Sequence, residues 1–304
     1  MTRFLIAGLI NVETTLRISG FPLAYNPVNY PFWGVQSRVS GVGYNLCRAL
    51  LTLGSQVDFL SLIGSDAAAG LVQTALTADG IPAEHVLAQA AQTAQSVILY
   101  DEQGRRQIHV DLKNIQELIY PPEIVEAALS QADWALLCNI NFSRPMLARA
   151  ARAGKPIALD LHTLADLHDP YNRDFLLAAR VLFMSDERLP LPPEDWVRAV
   201  WAECSAEVVV IGLGAQGALL GLRGPRTLTR IPAVFTRPVV NTIGAGDALF
   251  SAFMHSYAQS GDARAALERA VTFASYKIGV ASAADGFLTA AELEDWHSRV
   301  FPCG

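Results

Sequence analysis

Gly244, Ala245, Gly246 and Asp247 are the residues whose types and spacing most plainly offer chemistry. Three small residues in a row let an anion approach the backbone, because no bulky side chain stands in its way. After Asp247, the apolar residues Leu249, Phe250, Phe253 and Tyr257 recur at helical spacing, so the small residues stand where a helix begins. A helix start presents unpaired N–H groups and the positive end of the helix dipole, a setting that holds negative charge. A carboxylate in the same turn can take a proton from an attacking hydroxyl. The chemistry implied is phosphoryl transfer, with the backbone of Gly244, Ala245 and Gly246 as anion hole and Asp247 as base. On these four residues alone, an ordinary turn with an acid in the first helical turn explains the pattern equally well.

The turn needs something to carry it. Ile231 to Val240 is apolar and β-branched, broken by prolines, and reads as a strand approaching the turn. Phe4 to Ile10 predicts a buried first strand and leads into the polar residues Asn11 and Glu13. Ser40-Gly41-Val42-Gly43-Tyr44-Asn45 opens a helix through Leu46, Leu50 and Leu53. Asn45 is a mediocre helix residue and stands out there. From about residue 120 the pattern alternates: helix 122–130, strand 134–138, helix 145–153, strand 157–160, strand 181–184. Such alternation predicts a parallel sheet with helices on both faces. Val208 to Ile211 is a strand followed by Gly212-Leu213-Gly214-Ala215-Gln216-Gly217, which formally fits a dinucleotide fingerprint. The next residues, Ala218 to Leu222, read as a second strand and not as the helix that fingerprint requires, so a dinucleotide fold is rejected. A helix over 262–279 and a closing helix over 288–300, opened by a Thr289/Glu292 capping box, complete the chain.

Composition narrows the classes further. The 304 residues are 51% hydrophobic and 17% charged, enough for a large core and against disorder. A net charge of −6 without a basic cluster argues against nucleic-acid binding. No stretch approaches the length of a membrane span. Cys47, Cys138, Cys204 and Cys303 lie far apart, which fits a reduced, cytoplasmic protein better than a disulfide framework or zinc site. His162 and His168 lie near Asp160 and Asp166 at a spacing no common zinc pattern uses, and read as loop residues at strand ends.

The stretch N-T-I-G-A-G-D-A-L-F resembles the D-T-x-G-A-G-D-x-F signature of the ribokinase-like (PfkB-type) sugar and nucleoside kinases, with Asn241 in place of the first Asp. Asn11 and Glu13 resemble the family's G-x-x-N-x-D, with Glu13 for Asp. Residues 40–45 resemble its G-G-x-G-x-N loop, with Ser40 for the first Gly. Gly64, Asp66 and Gly70 match a further segment, read as scaffold. These matches extend over most of the chain. The resemblance implies an α/β fold of three layers, α/β/α, around a mostly parallel sheet, as a single domain over 1–304. It also implies a small β-strand lid from residues 16–38 and 94–111, whose outer face is a candidate homodimer surface. By the same resemblance, Asn11, Glu13, Gly41 and Asn45 orient the acceptor. Asp186, Gly212, Gly214, Gly217, Thr242 and Ser275 fall at the nucleotide. ATP and Mg2+ are the implied cofactors. A monovalent cation, held in many relatives by loop oxygens that include the position of Asn241, should matter only weakly here, because an Asn carries no formal charge.

Departures at Glu13, Ser40, Leu189, Gly212, Asn241 and Ser275 keep a second reading open, a non-catalytic descendant that serves as a sugar or nucleotide sensor or as a structural partner subunit. The base and the anion hole survive, and a pure binder needs neither. The preferred reading is therefore an ATP-dependent kinase for a hydroxyl of a small sugar or nucleoside.

Overall fold

The structure, a computed structural model, describes residues 1–302; Cys303 lies outside the described residues. In chain order the strands and helices are β1 (Arg3–Ala7), β2 (Asn11–Arg17), β3 (Val35–Ser40), α1 (Val42–Thr52), β4 (Gln56–Ile63), α2 (Ala67–Ala78), β5 (Val86–Ala88), β6 (Gln95–Tyr100) and β7 (Arg106–Asp111). Then follow α3 (Pro122–Gln131), β8 (Trp134–Leu137), α4 (Arg144–Arg152), β9 (Ile157–Asp160), α5 (Arg173–Ala178), β10 (Val181–Ser185), α6 (Pro193–Glu203) and β11 (Val208–Gly212). The chain closes with β12 (Ala218–Leu222), β13 (Thr227–Ile231), α7 (Ala245–Ser260), α8 (Ala263–Lys277) and α9 (Ala290–Val300).

Continuous apolar runs, such as Val208-Val209-Val210-Ile211, can be buried on both faces only in the interior of a sheet. They form a nine-stranded sheet in the order β13-β12-β11-β10-β9-β8-β1-β4-β5. From β5 to β11 the neighbours run parallel, and β12 and β13 return antiparallel. One helix group, α1, α7, α8 and α9, packs together, and α3, α4 and α5 form another, giving the expected α/β/α layering. In a parallel sheet of this kind, ligands bind beyond the carboxyl ends of the strands. Gly8, Asp160, Asp186 and Gly212 all lie at or just beyond such ends.

The lid is a second, four-stranded sheet in the order β3-β2-β6-β7. Its strands come from within the two expected segments or just beside them. Residues 18–34 differ from expectation: they hold no strand. Pro22, Pro27 and Pro31 each remove a ladder donor and fix φ, which excludes a continuous strand. The aromatics of this loop stand in solvent; Trp33 is 97% exposed and Tyr25 94%. The approach to the Gly244 turn also differs. The strand there ends at Ile231, and Pro232 and Pro238 leave 232–244 irregular. Two bonds to the Ile278 carbonyl, from Val240 N–H at 2.8 Å and Asn241 N–H at 3.2 Å, hold the segment in place of a ladder.

Residues 212–222 form the predicted strand pair, with Gly212 opposite Ala218. The capping box of α9 is complete: Thr289 Oγ1 accepts from the Glu292 N–H, and the Glu292 carboxylate accepts from the Thr289 N–H. Among the described residues no helix is long and apolar enough to cross a membrane.

Candidate active site

Three chain segments converge beyond the end of β1. Gly41 caps α1 at φ 111°, and a Cβ there would lie 2.6 Å from the Leu9 carbonyl oxygen. A Cβ on Gly43 would meet the Gly8 backbone at 2.7 Å. Only glycine lets α1 start this close to the loop between β1 and β2. That approach carries Asn45 inward, where it is 3% exposed. Its Nδ2 donates to Asp247 Oδ2 at 2.7 Å.

Asp247 sits in the first turn of α7, whose N-cap is Gly244 in the left-handed region at φ 74°. A Cβ on Gly244 would lie 2.7 Å from the Ala283 carbonyl oxygen, so space and backbone both require glycine. The Ala245 N–H is used within the turn, donating to the Thr242 carbonyl at 3.2 Å. Among the described residues, the N–H groups of Gly244, Gly246 and Asp247 find no protein acceptor. The free donors at this helix start are therefore Gly244, Gly246 and Asp247, and Ala245 contributes its small side chain.

Asn11 and Glu13 project from β2. Asn11 Nδ2 donates to Ser96 Oγ at 3.1 Å. Asn11 Oδ1, Ser40 Oγ and Asn45 Oδ1 are buried without a hydrogen-bond partner. A buried polar atom left unpaired is costly. Three such atoms, from β2, the end of β3 and α1, mark a place where a polyhydroxyl compound would supply the missing bonds. Burial pushes the Glu13 carboxyl above its ordinary value; the nearby Ser40 hydroxyl offsets part of that, and the charge of Asp247 adds to the shift. Burial raises Asp247 as well; the Asn45 hydrogen bond offsets part of that, and Asp160 reinforces it.

Most of the residues expected at the nucleotide lie at or beyond the ends of β10 and β11. Asp186 follows β10, and its N–H donates to the Gly212 carbonyl at 3.0 Å, joining two of the expected positions. Burial raises the Asp186 carboxyl. Gly214 (φ 54°) and Gly217 (φ 93°) shape the turn between β11 and β12, and a Cβ on Gly217 would lie 2.0 Å from the Ile231 carbonyl oxygen. Thr242 Oγ1 accepts from Arg106 Nη1 at 2.8 Å. Ser275 Oγ donates to the Val234 carbonyl at 2.7 Å, tying α8 to the loop beyond β13. Leu189 packs against the core.

The sequence reading left out three residues that the fold brings here. Asp160, set aside as a strand-end residue, places Oδ2 3.8 Å from where a Gly246 Cβ would stand. Arg106 reaches from β7 of the lid to Thr242 and lies 3.7 Å from Glu187. Lys277 is fully buried at the end of α8, donates to the Ile243 carbonyl oxygen, and is pushed down to about 8 by burial. For Lys277 a signal existed: it continues the inward spacing Ala270, Ala274 of its helix.

The chain's likenesses agree with this geometry. A family model described as pfkB family carbohydrate kinase matches residues 7–290. An ATP-dependent ribose-1-phosphate kinase of Halopiger xanaduensis is 30% identical over 278 residues, 89% of this chain and 90% of that protein. An acarbose 7(IV)-phosphotransferase of an Actinoplanes strain is 26% identical, covering 84% of this chain and 85% of that one. The solved structure of a microbiome-derived acarbose kinase superposes with a TM-score of 0.87 at 26% identity, over 98% of this chain and 99% of that one. With a four-stranded lid over a parallel sheet, and a glycine turn and acid at its carboxyl edge, this chain belongs to the pfkB family of carbohydrate kinases, phosphotransferases with an alcohol group as acceptor.

Proposed function

We propose that this ATP-dependent sugar or nucleoside kinase uses Asp247 as the base for a neutral sugar or nucleoside hydroxyl, bound between β2, the start of α1 and the start of α7. The observation that carries the reading is the 2.7 Å bond from Asn45 to Asp247 beside three buried, unpartnered polar atoms. Asn45 orients the carboxylate, while Asn11, Glu13 and Gly41 face the acceptor. A hydroxyl lodged there would bond to the free Asp247 oxygen, and its proton would pass to that oxygen as the new O–P bond forms. The N–H groups of Gly244, Gly246 and Asp247 would receive the charge that develops on the phosphoryl oxygens. Closure of the lid would exclude water, which otherwise competes as acceptor.

Neutrality of the acceptor follows from pairing. Arg38 on β3 of the lid and Arg48 on α1 are both held by Asp285, at 2.9 Å and 2.6 Å. They are not free to receive a substrate phosphate. The Halopiger relative's name includes a phosphorylated acceptor, and the two acarbose relatives' names a neutral one; the pairing favours the latter class.

The donor set fits magnesium bound chiefly through nucleotide phosphates. Among the described residues no three acids gather to cage an ion. Asp186 beyond β10 and Asp160 at the end of β9 would hold its waters. When bound, Mg2+ neutralises phosphate charge. Arg106 at Thr242 adds a fixed positive charge from the lid side.

An ATP-consumption assay over a panel of sugars, nucleosides and sugar phosphates tests this. Turnover with a neutral polyol is expected; turnover only with sugar phosphates would overturn the neutral-acceptor reading, and none at all the kinase reading.

A further inference from the structure

Beneath the catalytic turn, the atoms that a monovalent cation would need are already taken. Asn241 Oδ1 accepts from the Ile243 N–H at 3.0 Å, and Asn241 Nδ2 donates to the Ala281 carbonyl oxygen at 2.6 Å. The two bonds fix the amide's orientation, since a flip would set NH2 against N–H and oxygen against oxygen. The side chain thus bridges the catalytic loop and the 281–286 loop. The Ile243 carbonyl, one peptide before Gly244, accepts from the Lys277 ammonium. Lys277 has no solvent exposure, and its bond to the Ile243 carbonyl holds the ammonium in place. The acids facing it are Asp247, Glu13 and Asp285, with Arg106 the opposing cation. A second cation between these loops would meet an ammonium in place and a carboxamide whose carbonyl is engaged. The residues present do not fit the monovalent ion of the family.

We propose that Lys277 is the built-in cation of this site, its ammonium and the Asn241 amide standing where a potassium ion would otherwise join the two loops. Lys277 is a positioning residue. It holds the Ile243–Gly244 peptide, and with it the N–H groups that open α7, and places positive charge behind them. This rests on reading the Gly244 turn as the anion hole. The observations that carry it are the buried ammonium on the Ile243 carbonyl and the doubly bonded Asn241 amide.

The test compares choline chloride with potassium chloride at constant ionic strength, reading turnover and melting temperature. Wild-type enzyme should change less than about twofold in turnover and show no potassium-specific rise in melting temperature. Lys277→Met keeps length and apolar bulk. It should lose about 10²-fold in turnover in choline buffer, the scale for a misplaced anion hole, and recover part of that in ammonium or potassium. Loss of packing alone would not respond to cations. Asn241→Asp, which leaves the ammonium in place, should gain no potassium-specific stabilisation; it serves if Lys277→Met does not fold. Potassium activation of the wild type by more than about tenfold would overturn the proposal. So would a folded Lys277→Met that keeps its turnover in choline, or loses it beyond rescue by any cation. If no acceptor is phosphorylated, the anion-hole reading fails, and the melting-temperature arm still decides whether the wild type takes up potassium.

Discussion

The proposed acceptor side and the proposed nucleotide side of this site are built by different means. Around the proposed acceptor, side chains converge: Asn45 bonds Asp247, the charge of Asp247 bears on Glu13, and three polar atoms are buried without partners. On the proposed nucleotide side several of the expected side chains are absent or used elsewhere. Ser275 bonds the Val234 carbonyl, Leu189 packs against the core, and Gly212 and Gly217 contribute backbone shape alone. On the proposed roles, the contrast places specificity on the acceptor side. An acceptor must be oriented to a fraction of an ångström for in-line transfer, which requires fixed side chains. A nucleotide can be held by backbone, shape and its own metal, so many side chains will serve.

The comparison can be broken or sharpened by substitution. A large effect is expected from Gly244→Ala. Its Cβ would require the 281–286 loop to move and would put a non-glycine residue in the left-handed region. Turnover should fall about 10²-fold, the scale for losing an anion-hole donor, with a lower melting temperature. A value within threefold of wild type would remove the turn from the mechanism. Next is Asn45→Leu, for which the acceptor KM should rise about tenfold, since a buried hydrogen-bonding group is lost. The same variant sharpens the pH dependence. Asp247 is already easier to protonate than an ordinary aspartate at 3.8, so kcat/KM should fall on the acid side at a higher pH than such a residue would give. The Asn45 bond opposes that shift, so Asn45→Leu should move the acid limb of the profile further up. An acid limb that moves down, or stays, would contradict the pairing.

On the nucleotide side the effects should be smaller. Ser275→Ala should change the KM for ATP by less than about threefold and lower stability by about 1 kcal/mol, the typical worth of one hydrogen bond. Calorimetry and ATP titration check it; a tenfold loss of ATP affinity would restore Ser275 to the nucleotide. For Arg106→Ala a twofold to tenfold rise in KM, on the order of one exposed charged contact, is expected. Hydrogen exchange in 35–40 and 106–111 should show the lid losing part of its ligand-dependent protection.

How far the sequence discloses this site follows from which physics is local. The glycine turn, Asn45 at a helix start and the β11–β12 hairpin were legible, because backbone demands and short periodicities leave their mark within a few residues. The strand expected over 231–240 was not there. Its apolar residues suggested one, and Pro232 and Pro238 outweighed them. The converse holds for Lys277, Arg106 and Asp160. Lys277 meets Ile243 across 34 positions and Arg106 meets Thr242 across 136. Such meetings are made by sheet order and lid closure, and single-sequence patterns do not encode them. Only Lys277 left a trace, a charge at an inward helical position.

The central claim, that Asp247 is the base of an assembled acceptor site, is tested most directly by Asp247→Asn, measured for turnover and melting temperature on one preparation at neutral pH. Burial holds the Asp247 pKa above its unfolded value, so the ionised acid opposes folding at any pH above the raised pKa and ceases to do so as pH falls below it. A neutral Asn relieves that penalty and can still accept the Asn45 bond. The account predicts a kcat lower by about 10²-fold or more, the scale for a positioned base, with an unchanged acceptor KM and a melting temperature equal to or above wild type. Near-wild-type turnover in a folded Asp247→Asn enzyme would contradict it.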